Sequence, residues 1–267
     1  HQMESVADYL DCTNGGLMQP VPRILSILVV TNLFPPQELG GYGRKIWEFS
    51  DGLRKRGHRV RVLAGDAPYL LRPLTSGENT LEEFTLRNLE LWGEWKNGTT
   101  RALGDWHYAE RASQKNSARV MQSVGEEKPD FVLLGNLDFL GTALVKSLIE
   151  NKIPVLHSLG NQTPGYPATD SIVSPYYWIA PASDWLGKSL LENGYRVSRL
   201  CTVYPGARVD RFFKFFLPDI RRLRIAFAGL VMHYKGAHVL LNALHILHQN
   251  GIDFRAEIAG DSTDEGY

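Results

Sequence analysis

Neither sign of charge is in excess: 29 Lys and Arg residues balance 29 Asp and Glu. A chain with no net field has no long-range pull toward a polyanion, which argues against a nucleic-acid partner. Cysteine is nearly missing. Cys12 and Cys201 stand far apart without metal-ligand spacing, so the expectation is a reducing cytosol and no disulfide framework. Long apolar runs are also lacking, and the stretch at 24–30 falls well short of the ~20 residues that span a bilayer. No secretory signal precedes the sequons at Asn97 and Asn161, so both read as chance matches. Basic clusters at Arg54, Lys55, Arg56 and at Arg221, Arg222, Arg224 read as solvated faces. They leave peripheral contact with the inner membrane surface open for a protein otherwise expected to be soluble and cytoplasmic.

What is present is enough apolar residue to build a large core, 43% of 267 residues. Short apolar runs alternate with amphipathic stretches, the pattern of a parallel α/β sheet. The run at 24–30 is too continuous for a half-exposed strand and suits a buried parallel one. After a loop to Gly43, Ile46, Phe49 and Leu53 share one helical face, Gly57 closes that helix, and 59–63 gives a second strand. Between 65 and 128 the pattern is less regular, with a strand pair expected over 84–95 and a helix over 106–126. Strands at 131–134, 153–156 and 178–180 follow, with helices at 139–151 and 184–193, and 201–204 ends this unit. A second repeat has a strand at 224–229, a helix at 237–250 and a strand at 256–259.

Two strand-to-helix corners carry glycine. In the first, Gly40 and Gly41 precede a helix whose free N–H groups and positive dipole end attract an anion, and glycine lets the backbone approach it closely. These glycines lie some ten residues beyond their strand, whereas the dinucleotide fingerprint follows its strand at once, so a dehydrogenase is disfavoured. In the second, Gly229 is followed by Lys235 and Gly236 at a helix start, without the spacing of a P-loop. Taken singly, each glycine pair could simply turn the chain, and Lys235 could be a solvated lysine. Asn136 and Asp138 follow the carboxyl end of a strand, where α/β ligands bind. His238, His245 and His248 share a helix but read as its polar face, and Trp92, Trp95, Trp106 and Tyr108 read as packing residues before a sugar-stacking wall.

Several motifs follow one another in a fixed order: Pro35-Pro36, Gly40-Gly41 and Gly57-His58-Arg59-Val60, then Val203-Tyr204-Pro205-Gly206, and then Phe227-Ala228-Gly229 through Ile258-Ala259-Gly260-Asp261. That ordered set resembles glycosyltransferase family 4, and its first members are similar to that family's opening. Val203-Tyr204-Pro205-Gly206 through Val209-Asp210-Arg211-Phe212 resembles its hinge. Phe227-Ala228-Gly229, Lys235-Gly236, Leu240-Leu241-Asn242-Ala243-Leu244 and Ile258-Ala259-Gly260-Asp261 resemble its donor-binding run. The resemblance implies an α/β protein of GT-B type. It would have an irregular leader (1–22), a complete N-terminal Rossmann-like acceptor-side domain (23–205) and a linker (206–222). The first strand–helix–strand of a second Rossmann-like, nucleotide-sugar-binding domain (223–267) would follow.

It further implies a retaining transferase working in the cleft between two domains, with a nucleotide-diphosphate sugar as co-substrate and no other cofactor. The acceptor would be a glycan, a lipid or a small molecule. Gly40, Gly41, Gly229, Lys235 and Gly236 would approach the donor, Lys235 would neutralise the leaving diphosphate, and Asn136 and Asp138 would face the acceptor. No metal is implied, and no Asp-x-Asp pair occurs. Three departures stand out. Leu230 sits where the family often carries an arginine. The family's strand-end histidine falls on Gly160 in the simplest register, so that role passes to His157, three residues earlier. The paired glutamates of the donor site have no counterpart, so the resemblance implies that they would lie beyond Tyr267 and that this chain would be inactive, or nearly so, as it stands. Alternatives are another GT-B sugar-nucleotide enzyme, such as a 2-epimerase, and a non-catalytic domain that docks an acceptor or partner.

Overall fold

The computed structural model describes residues 23–73, 81–96, 99–207, 209 and 222–260. The expected leader, most of the linker, the hinge residues Asp210, Arg211 and Phe212, and Asp261 lie outside them.

The strand expected first, β1 (Ser26–Thr31), is buried along its whole length. It pairs in parallel with β2 (Arg59–Gly65) on one side and β6 (Phe131–Leu134) on the other. β3 (Thr85–Leu89) extends the sheet past β2, while β7 (Val155–Leu159) and β8 (Tyr177–Pro181) extend it past β6. The order is β3-β2-β1-β6-β7-β8, with every pairing parallel. Alternate side chains of β1 explain why no face is polar. Ile27 and Val29 pack with Ile46 and Trp47 of α1 (Tyr42–Lys55), whereas Leu28 and Val30 join the cluster holding Val120, Leu144 and Leu148. Those three belong to α2 (Trp106–Glu127) and α3 (Ala143–Glu150). Each fully buried Leu, Val or Ile contributes roughly 1.5–3 kcal/mol.

Local chemistry sets the helix ends. Asp105 caps α2, its Oδ1 accepting from the Tyr108 N–H at 2.9 Å, and Lys128 closes it in the left-handed region. Ser183 caps α4 (Asp184–Glu192) through the Leu186 N–H at 3.1 Å. Beyond this sheet, β9 (Leu223–Ala228) and β10 (Phe254–Ala259) pair in parallel around α5 (Ala237–Gln249). Val239, Leu241, Ile246 and Ile258 of that unit are exposed.

Three expectations change. The strand pair over 84–95 does not form: β3 joins the parallel sheet, and β4 (Gly93–Lys96) pairs instead with β5 (Thr99–Ala102) as an antiparallel hairpin. The helix expected from 139 begins only at Ala143, because Phe139 and Gly141 both take positive φ and break the helical path. The 201–204 stretch, expected to end the first unit, runs beside β8, with the Cys201 N–H on the Ile179 carbonyl and the Val203 N–H on that of Pro181. Cys201 is disulfide-bonded. Separation along a sequence does not measure separation in space, so the cysteine count carries no argument about compartment; Cys12 lies outside the described residues. Among those residues no helix is long and apolar enough to cross a membrane.

Gly65 ends β2 against the loop that leaves β1. A Cβ added there would meet Leu91 Cδ2 at 2.8 Å and the Asn32 carbonyl oxygen closer still. Gly65→Ala is expected to destabilise the fold by about 1–3 kcal/mol, read as a lowered urea midpoint at unchanged m-value.

Candidate functional site

In an open parallel sheet, ligands bind where the strand order reverses, outside the carboxyl ends of the strands. Here that point lies between β1 and β6. The chain ends of the two strands are tied together: the Asn32 N–H donates to the Asn136 carbonyl (3.0 Å) and Asn32 Nδ2 to that of Asp138 (3.2 Å). Above them opens a cleft of about 1130 Å³ whose opposite wall is the corner after β9.

The loop leaving β1 is held from both sides. Gln37 Nε2 donates to Asp66 (2.9 Å), its Oε1 accepts from the Ala67 N–H (2.6 Å), and Glu38 Oε1 accepts from Arg44 (2.6 Å) and from Arg72. This fixes Gly40, whose positive φ suits glycine, and Gly41, the N-cap of α1. No side chain caps α1, so its first turn faces the cleft. Across the opening, Gly229 leaves β9 with positive φ, a 3₁₀ turn His233–Lys235 follows, and Gly236 starts α5, again without a side-chain cap.

Of the residues expected from sequence, Gly40, Gly41, Asn136, Asp138, Gly229 and Lys235 line this one cleft. Gly236 supports its edge without lining it. His157 is not in the wall at all. It lies inside the sheet, 1% exposed, two residues before the end of β7. Its Nδ1 meets the Tyr177 hydroxyl at 2.6 Å, and that hydroxyl meets Tyr166 at 3.1 Å. Burial first, then the nearby Lys45 charge, lower its pKa to about 3, against a hydrogen bond to the Gly135 carbonyl that raises it. A neutral imidazole enclosed in this way braces strands and does not touch a ligand in the cleft. Leu230 is in the wall, facing Gly40: a Cβ at position 40 would sit 3.6 Å from its Cδ1.

Sequence reasoning missed Lys45, Tyr42, Asn161 and the placement of Trp95. Lys45 projects from the first turn of α1, its Nζ 4.4 Å from the centre of the Tyr42 ring. Tyr42 donates to the Ser158 carbonyl and accepts from the Gly160 N–H (3.2 Å), joining α1 to the end of β7. Burial lowers the Lys45 pKa to about 8 and raises that of Tyr42 well above its ordinary value. Asp138 is raised as well, by burial, although its hydrogen bond from Asn136 pulls the other way. Trp95 packs edge-on against Phe139, centroids 4.6 Å apart, and also lines the cleft, whereas Trp106 is 71% exposed and outside it. The one advance signal for Lys45 was its position a single turn into a helix that starts at Gly41. Among the described residues no cluster of His, Cys, Asp and Glu could hold a metal ion.

A lysine held near pKa 8 costs stability wherever it must stay charged. Its folded pKa lies below the unfolded 10.5, so the penalty is full below about pH 8 and disappears as pH rises toward 10.5. Lys45→Met is therefore expected to raise the melting temperature at pH 7 and to lose that advantage by pH 10.5, which thermal denaturation at both values checks. His157 works in the opposite range. Neutral in the fold and basic when released, it favours the fold above about pH 6.5 and withdraws that support as pH falls toward 3. His157→Gln should flatten the acid limb of the same stability profile.

No protein-family profile matches the chain, and no curated protein matches it. Among solved structures it is similar to a glycosyltransferase from Rickettsia africae, at 14% identity and a TM-score of 0.59, over 90% of this chain and 61% of that one. It is also similar to the catalytic domain of starch synthase IV from Arabidopsis thaliana, bound to ADP and acarbose, at 12% identity and a TM-score of 0.55, over 90% and 69%. At such identities the likeness speaks for the architecture alone, and that architecture is the α/β, Rossmann-like GT-B fold.

Proposed function

We propose that this chain forms the acceptor-side lobe and the first part of the donor-side lobe of a retaining, metal-independent glycosyltransferase related to family 4. Residues 23–205 make the first lobe, 206–222 the link, and the chain from 223 onward the second. The observation that carries this reading is one cleft lined by both glycine corners, Gly40–Gly41 from α1 and Gly229–Lys235 from the turn before α5. Uncapped helix starts on both sides offer backbone N–H groups and positive dipole ends to a pyrophosphate, and Lys235 adds an ammonium beside the second of them. When the bond from the anomeric carbon to the diphosphate breaks, negative charge grows on the leaving oxygen. A fixed cation there lowers the barrier more than it tightens the ground state. Similar structures that carry the name glycosyltransferase or starch synthase support the same direction.

The donor is a nucleoside-diphosphate sugar, and the acceptor, a glycan, lipid or small molecule, enters from the side of Asn136 and Asp138. Binding of UDP, GDP and ADP to the chain, followed by calorimetry, tests the donor half. One of the three should bind, and Lys235→Ala should weaken it about ten- to hundredfold, the worth of one charge-assisted hydrogen bond. In a protein active with the matching donor, the same change should remove most diphosphate release. Unchanged affinity and release would take Lys235 out of the site, and failure of all three nucleotides to bind would sink the reading.

A further inference from the structure

Three segments distant in sequence place opposite charges on one wall of the cleft without closing them into an ion pair. Lys45 comes from α1, Asn136 and Asp138 from the loop after β6, and Gly160–Asn161 from the end of β7. Asp138 is firmly set. Its Oδ2 accepts from Asn136 Nδ2 (2.9 Å) and Asn161 Nδ2 (3.3 Å), its N–H donates to Asn136 Oδ1 (2.9 Å), and its carbonyl accepts from Asn32. Both amides converge on one carboxylate oxygen. Among the described residues no donor reaches the other. On the far side of the Gly160–Asn161 step, a Cβ at 160 would lie 3.2 Å from Lys45 Nζ and 2.9 Å from the Tyr42 ring. The missing side chain therefore leaves the ammonium room beside the cleft, and among the described residues no carboxylate comes within ion-pair distance of it.

The pairing of signs selects the ligand. An anion drawn to Lys45 would be repelled by Asp138, and a cation would meet the reverse. A ring carrying several hydroxyls satisfies both, one donating its proton to the carboxylate and another accepting from the ammonium. Near the same wall, Trp95 is fixed by Phe139 and by its backbone N–H, which donates to the Tyr69 hydroxyl (3.1 Å), and Trp95 and Tyr69 line the cleft. Such rings suit the C–H face of a pyranose. We infer that Lys45 and Asp138 form a subsite for the hydroxyl groups of a neutral sugar ring, with Trp95 and Tyr69 at its border. The sugar comes either from the donor or from the acceptor, and only that choice rests on the function proposed above.

Calorimetry on the whole chain separates the outcomes. The ligands are UDP, GDP and ADP, their glucose conjugates, and the free saccharides maltotriose and chitobiose; the proteins are the native chain, Lys45→Met and Asp138→Asn. Circular dichroism confirms that each variant folds. Native protein should bind a glucose conjugate more tightly than its bare diphosphate if the subsite takes the donor sugar, or bind a free saccharide if it takes the acceptor. Each variant should lower that sugar-dependent affinity about ten- to hundredfold while leaving affinity for the bare diphosphate unchanged. Equal sugar affinity in native and variant proteins overturns the subsite, as does a native chain that gains nothing from any sugar. Weaker binding of the bare diphosphate by Lys45→Met would place the ammonium on phosphate instead and overturn it too. Variant-sensitive saccharide binding without any nucleotide binding would support the subsite while sinking the donor reading.

Discussion

The pairing of β1 with neighbours on both sides is the constraint from which the site follows. A strand buried on both faces must satisfy its backbone groups in two ladders, here with β2 and β6. Because the chain reaches those neighbours in opposite directions across the sheet, the loops beyond β1 and β6 part and leave a crevice. The hydrogen bonds from Asn32 to Asn136 and Asp138 hold its floor together at the point of parting. Everything polar in the wall is positioned by this geometry. Asn136 and Asp138 leave β6, Gly160 and Asn161 leave β7, and α1 is tied to β7 through Tyr42.

The wall is expensive in electrostatic terms. Lys45 and Asp138 are both shifted toward their neutral forms by burial, although each would be charged in water. A protein selected only for stability would replace the lysine with a hydrophobic residue of similar length. Its retention beside two amide-held carboxylate contacts is the kind of local strain that active sites carry. His157, by contrast, shows the same physical shift with no access to the cleft. Burial alone is enough to move a pKa, and a shifted value marks a site only when geometry agrees.

Much of the architecture was legible in the sequence where one rule dominated. The continuous apolar run of β1, the helical spacing of Ile46, Phe49 and Leu53, and the glycines at 40, 41, 229 and 236 each pointed to the structure that formed. The stretch from 65 to 128 was not legible to the same degree. β4 and β5 are four-residue strands with mixed polarity, and their pairing with each other reflects a turn chemistry that periodicity does not report. Phe139, a bulky residue with positive φ, contradicts its own local preference and is held by its packing against Trp92 and Trp95. Lys45 escaped notice because a charge on an amphipathic helix reads as a solvated face. Its surroundings include a residue more than a hundred positions away, Gly160.

The ends of β9 and β10 approach so closely that a single carbon atom at Gly260 would overlap the carbonyl oxygen of Gly229. The backbone in this corner is therefore frozen in composition as well as in shape. Diversification of what the cleft accepts must then come from the side chains that follow, Leu230 and the exposed Tyr234, which both line it. An engineer wishing to retune ligand preference would start with those two positions and leave the glycine frame alone.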